Sequence, residues 1–152
     1  MKTSVVTGGA GGLGRALTQL LVAKGWQVAV LDLPGAELES AAAPSVRTYA
    51  CDVTDADAVQ AVCDRVRRDH ASIDLVIYNA GIAQIGLFSE TPLPVHRRVI
   101  EINYFGSVNV CAALLNDLRQ SRGVHLAISS VAGFAPLHRR TAYSASKHPP
   151  TM

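Results

Sequence analysis

The chain of 152 residues carries 14 Lys and Arg against 12 Asp and Glu, a formal charge of +2, with 49% hydrophobic and 17% charged residues. That composition excludes disorder and describes one globular domain with enough apolar residues for its own core. So small a charge supplies no clustered positive field for nucleic acid or an anionic membrane, and no run approaches the roughly 18 uninterrupted apolar residues of a membrane span.

Ser4 to Thr7 reads as a first strand, followed by a helix with Leu13, Ala16, Leu17, Leu20 and Leu21 on its apolar face, a βα unit closed by Gly25. Trp26 to Leu31 is a second strand ending on Asp32, turned by Pro34 and Gly35 into a short helix around Ala36 to Ala43. A third strand is expected at Val46 to Tyr49. Thr54 to Asp57 resembles a capping box for the next helix, whose face is Val59, Val62, Cys63 and Val66. Ile73 to Tyr78 is a continuous apolar strand, as in a parallel sheet covered on both faces. The loop from Asn79 to Pro94 follows, then a long helix from about Val95 to Arg119, interrupted near Asn103. That helix has two apolar rows, Phe105, Val108, Ala112, Leu115 and Val110, Leu114, Leu118. One row faces the sheet, and the other is expected under a neighbouring helix or a second subunit. Val124 to Ile128 is a fifth strand, and a last helix opens near Thr141. Five strands with crossover helices predict a doubly wound parallel Rossmann sheet in the order 3-2-1-4-5, a single α/β domain over residues 1–152.

The first βα turn holds five glycines between Gly8 and Gly14. Such a turn lets backbone approach a pyrophosphate and offers free helix N–H groups to its charge. Asp32, 18 residues beyond Gly14, is placed to accept hydrogen bonds from both hydroxyls of an adenosine ribose. That carboxylate repels a 2′-phosphate, and no Arg or Lys lies between Thr7 and Gly14 to attract one, so NAD is expected rather than NADP. Cys51, Cys63 and Cys111 are widely spaced with no CxxC, which predicts buried thiols in a reducing cytoplasm; Lys2 precedes a glycine turn rather than an export segment. His70, His125 and His148 have no ligand spacing, so no metal is expected. The clusters His96-Arg97-Arg98 and His138-Arg139-Arg140 read as solvated charge.

With these residues in order, the sequence resembles the short-chain dehydrogenase/reductase family. Thr7, Gly8, Gly12 and Gly14 match its TGxxxGxG turn, Asp52-Val53 its adenine-contacting pair, and Asn79-Ala80-Gly81 its NAG element. The turn also fits TGxxGxxG of the extended branch through Gly8, Gly11 and Gly14; Asn79-Ala80-Gly81 and the ISSVAG segment favour the short-chain branch. The resemblance implies a catalytic tetrad of Asn103, Ser130, Tyr143 and Lys147, and a dinucleotide held by these turn residues, Leu13, Asp32, Asp52, Val53, Asn79, Ala80, Gly81, Tyr143 and Lys147. Chemistry supports these roles. Tyr143 and Lys147 lie four apart on one helix face, where an ammonium favours a phenolate able to exchange the substrate's hydroxyl proton. Ser130 would hydrogen-bond the substrate oxygen, and Asn103 would anchor a water in the proton relay. Taken singly, each has an ordinary structural role; their joint order favours catalysis.

Beyond Lys147 the family continues its helix and adds two further strands, whereas here Pro149 and Pro150 follow almost at once. This predicts a C-terminally incomplete domain, with Tyr143 and Lys147 on a frayed tail unless packing or a partner holds them. Two classes of function are therefore expected: an NAD-dependent oxidoreductase acting on a small alcohol or carbonyl substrate, weakened by the short terminus, or a non-catalytic dinucleotide-binding or association module. Homo-association is expected through the exposed fifth strand and the long helix.

Overall fold

The computed structural model describes residues 1–148. Five parallel strands, β1 (Thr3–Thr7), β2 (Gln27–Asp32), β3 (Val46–Ala50), β4 (Leu75–Tyr78) and β5 (Val124–Ala127), pair in the order β3-β2-β1-β4-β5. This is the doubly wound order expected from the alternation of strand and helix. Val5 lies opposite Ala29 and Val76, and these side chains meet the helices of one layer; Val6, Val28, Val30 and Ile77 face the other. Burial on both faces is why β1 and β2 are apolar without alternation.

On one layer, α1 (Gly12–Ala23) and α2 (Ala36–Ser40) cover the sheet; on the other lie α3 (Ala56–Asp69) and α5 (Gly106–Ser121). The apolar face expected for α1 is displaced. Gly14, Thr18 and Leu21 are buried with Leu17 half-buried, whereas Leu13, Ala16 and Leu20 are exposed. Close approach of α1 to the glycine turn favours the residue without a side chain, and the buried Thr18 hydroxyl donates to Gly9 O at 3.4 Å. The expected cap of α3 also moves by one residue. Asp55 is the N-cap, accepting from Ala58 N–H at 2.9 Å, because the Thr54 hydroxyl is committed to Asp52. The face Val59, Val62, Cys63 and Val66 is buried as expected.

After β4 the chain passes through a 3-10 turn (Phe88–Glu90) into α4 (Leu93–Ile100), a π turn (Glu101–Phe105) and α5, one continuous helix over Leu93–Ser121. By length and composition it would suffice to cross a bilayer; Val110, Leu114 and Leu118 pack on the sheet, and most of its remaining residues are not buried. The other expected row stays open: Phe105, Val108 and Ala112 are exposed. The break near Asn103 is the π turn. Beyond β5, a 3-10 turn (Val131–Gly133) leads to α6 (Thr141–Lys147). Pro149 and Pro150, on which the expected helix stop rests, lie outside the described residues.

Candidate functional site

A cleft of about 570 Å³ opens at the carboxyl ends of β1, β2 and β4, where the strand order reverses. Its floor is the glycine turn. A Cβ on Gly14 would stand 2.0 Å from Gly8 O, so only glycine lets α1 come this close to β1. Gly12, at φ +50 with open space beside it, presents bare backbone to the cleft. Gly11 is the N-cap of α1, with no side-chain cap and no acidic residue in the first turn. The helix N-terminus is thus left to an anion, and the residues present fit a pyrophosphate.

Gly8, Gly12, Leu13, Asp32, Asp52, Val53, Asn79, Ala80 and Gly81 line this cleft together. Thr7 and Gly14 do not line it; they build its wall. The buried Thr7 hydroxyl accepts from the Asn79 and Ala80 N–H groups, each at 3.1 Å, while Asn79 Nδ2 donates to Thr7 O and Gly8 O at 3.1 and 2.9 Å. These bonds tie the ends of β1 and β4 and hold the turn in place. Asp32, closing β2, accepts from Ala10 N–H at 3.0 Å and Leu33 N–H at 2.9 Å. Asp52 accepts from Thr54 N–H and its hydroxyl at 3.0 and 2.8 Å, bonds that hold its carboxyl below the ordinary range. Arg98, exposed as expected, lines the cleft on the Asp52 side, as Glu37 does near Gly11. Neither had a local signal, because which exposed charge reaches the cleft depends on where α2 and α4 cross the sheet.

The second cluster gathers around α6. Asn103, buried in the π turn, accepts from Ile82 N–H at 2.8 Å and donates to Ile82 O and Ser146 Oγ at 2.9 Å each; Ser146 in turn donates to Tyr143 O at 2.8 Å. Lys147 Nζ donates to Ile128 O at 2.9 Å and lies 5.9 Å from the Tyr143 ring centroid, and its burial lowers the ammonium's pKa. Ser129 Oγ donates to Lys147 O at 2.8 Å, and a Cβ on Gly133 would meet that same oxygen at 2.0 Å. Packing therefore holds the short helix expected to fray, and Ser146 is the side chain sequence reasoning passed over. Ser130 caps the adjoining turn, accepting from Ala132 N–H at 3.2 Å. Among the described residues no hydrogen bond joins it to Tyr143. Arg140, also expected to be solvated, instead sits 5.6 Å over the Tyr143 ring.

The two regions meet at Ala80 and Gly81. Ala80 lines both the cleft and a small cavity of about 30 Å³ whose lining includes Ile128, Ala127, Asn103, Ser107, Ser129 and Lys147. A Cβ on Gly81 would lie 3.1 Å from Asn103 Oδ1 and 3.6 Å from Lys147 Nζ. Gly81, at the end of the cleft, thus stands next to Asn103 and the ammonium. Among the described residues, no three His, Cys, Asp or Glu side chains converge on a metal-sized site.

A family model for short chain dehydrogenases matches residues 2–151. The chain is 36% identical over 150 residues to "Probable oxidoreductase EphD" of Mycobacterium tuberculosis, covering 93% of this chain and 25% of that protein. It is 32% identical over 153 residues to D-threitol dehydrogenase of Mycolicibacterium smegmatis, covering 96% and 59%. Among solved structures, NAD+-bound xylitol dehydrogenase superposes with a TM-score of 0.92 at 32% identity, over 97% of this chain and 60% of that one. The chain spans from a quarter to three fifths of these proteins' own lengths.

Proposed function

The chain belongs to the short-chain dehydrogenase/reductase family, and from that premise we propose that it is an oxidoreductase using NAD to interconvert a small secondary alcohol and its carbonyl compound. The observation that carries this reading is that Gly81, which lines the glycine cleft, is a near neighbour of Lys147, a Cβ on it standing 3.6 Å from Nζ, with Tyr143 beside that ammonium. A bound nicotinamide dinucleotide supplies the hydride donor or acceptor. The chain's own residues do the rest. Tyr143 exchanges the hydroxyl proton, beside an ammonium that its burial makes readier than usual to release a proton. Ser130 orients the substrate oxygen. The cavity bounded by Asn103 and Lys147 is the size of one water, a station for proton passage.

NAD rather than NADP is supported by Asp32 at the end of β2. Relatives bear the names of polyol dehydrogenases, but the surface beside Ser130 exposes Val131, Phe134 and Leu137, which fits a less polar alcohol. The free thiols, two of them buried, suit the reducing cytoplasm proposed as the location. Homo-association through β5 and α5 is proposed from their exposed apolar side chains.

The test is turnover of a panel of secondary alcohols with NAD by the purified chain. Loss of about 10²-fold or more in Tyr143→Phe, with NADH binding retained, is expected. Dinucleotide binding without any turnover would sink the oxidoreductase reading and leave a binding module.

A further inference from the structure

Resting on the dinucleotide reading of the cleft, we propose that Glu37 is a second selectivity residue, whose carboxylate rejects a phosphate on the adenosine ribose and so reinforces Asp32. Glu37 stands in the first turn of α2, where the neighbouring Leu38 is buried in the core and fixes the helix against the sheet. This anchoring places Glu37 beside the glycine turn: its Oε2 lies 2.8 Å from where a Cβ on Gly11 would be. Asp32 Oδ2 accepts from Ala10 N–H, one residue earlier in the same turn. Two carboxylates therefore bracket Ala10 and Gly11, and both line the cleft.

They are not equivalent. Each Asp32 oxygen already accepts a backbone N–H, from Ala10 and from Leu33. The Glu37 carboxylate, among the described residues, accepts no hydrogen bond and joins no ion pair. No side chain among the described residues pairs with its charge where it borders the cleft. Among the described residues lining the cleft the only cation is Arg98, on the Asp52 side. A ribose bearing hydroxyls meets acceptors at this corner, whereas a ribose phosphate, carrying a charge of about −1.5 to −2, meets two negative groups and no cation.

The experiment compares NADH and NADPH binding to the parent chain and to Glu37→Gln by dinucleotide fluorescence, with circular dichroism to verify folding. The substitution is isosteric, at an exposed site. NADPH should tighten about two- to tenfold and NADH change less than about twofold, as expected for an exposed charge acting on a phosphate. The gain should shrink in high salt, where the screening length falls to about 3 Å. Glu37→Arg should give a larger NADPH gain. A purely structural role for Glu37 at the start of α2 would move both dinucleotides together, and that result, or no change in either, overturns the proposal. Failure of the folded parent to bind either dinucleotide would instead overturn the reading of the cleft.

Discussion

Asp52 shows how one carboxylate is prepared for a site by its immediate neighbours. The Thr54 N–H contributes most to holding its carboxyl below the ordinary value of 3.8, and the Thr54 hydroxyl adds to it. Because the folded value lies below the unfolded one, the stability this pairing contributes is present above the unfolded value and is lost as pH falls through the folded one. Thr54→Val removes the hydroxyl bond and keeps the backbone bond. The Asp52 midpoint, followed by carboxyl-carbon NMR, should therefore move up toward 3.8, and the acid-side loss of stability should become smaller and finish at higher pH. An unmoved midpoint would show that the hydroxyl has no part in tuning this carboxylate. Lys147 is shifted by a different cause, burial alone, and its lowered value reflects the cost of keeping an ammonium out of water.

The π turn does for the second cluster what the glycine turn does for the first. It sets Asn103 where a single side chain joins the loop after β4, through Ile82, to α6, through Ser146. Asn103→Ala leaves the Ile82 N–H, the Ile82 carbonyl and the Ser146 hydroxyl without this partner. A loss of about 2–4 kcal/mol is expected, read as a lower urea midpoint, together with faster exchange of the Ile82 amide. Exchange at Ile82 unchanged from the parent would contradict this account. Much of this architecture was legible before any coordinates: the strand order followed from alternating βα units, and the helix break from the position of Asn103. The buried face of α1 was not. Ranking side chains by hydrophobicity favours Leu13 and Leu20, whereas a helix pressed onto a strand end buries Gly14 and a hydroxyl satisfied by a carbonyl, Thr18. Arg98 and Glu37 were illegible for a related reason, since exposure of a charge is local but its neighbours across the cleft are not.

At the scale of the whole molecule, the two edges of the sheet differ. β5 exposes Val124 and Leu126, and beside it Val108, Cys111, Ala112 and Leu115 line an apolar groove of about 780 Å³, with Arg119 and Arg122 at the rim. Unpaired strand edges flanked by apolar side chains favour self-association. Sedimentation at micromolar concentrations should show mass rising with concentration, and Leu126→Lys should reduce it; a monomer at every concentration would count against association through this edge. The central position of β1 has a further consequence, in time rather than in space. β1 is made first, yet it pairs on one side with β4, and Thr7 and Ile77 are separated by 70 residues. At ribosomal rates of about 5–20 residues per second, that flank of β1 waits roughly 4–14 s for its partner. Until then the nascent chain holds its future centre open as an edge, so the interval before β4 emerges is one in which misassembly competes with folding.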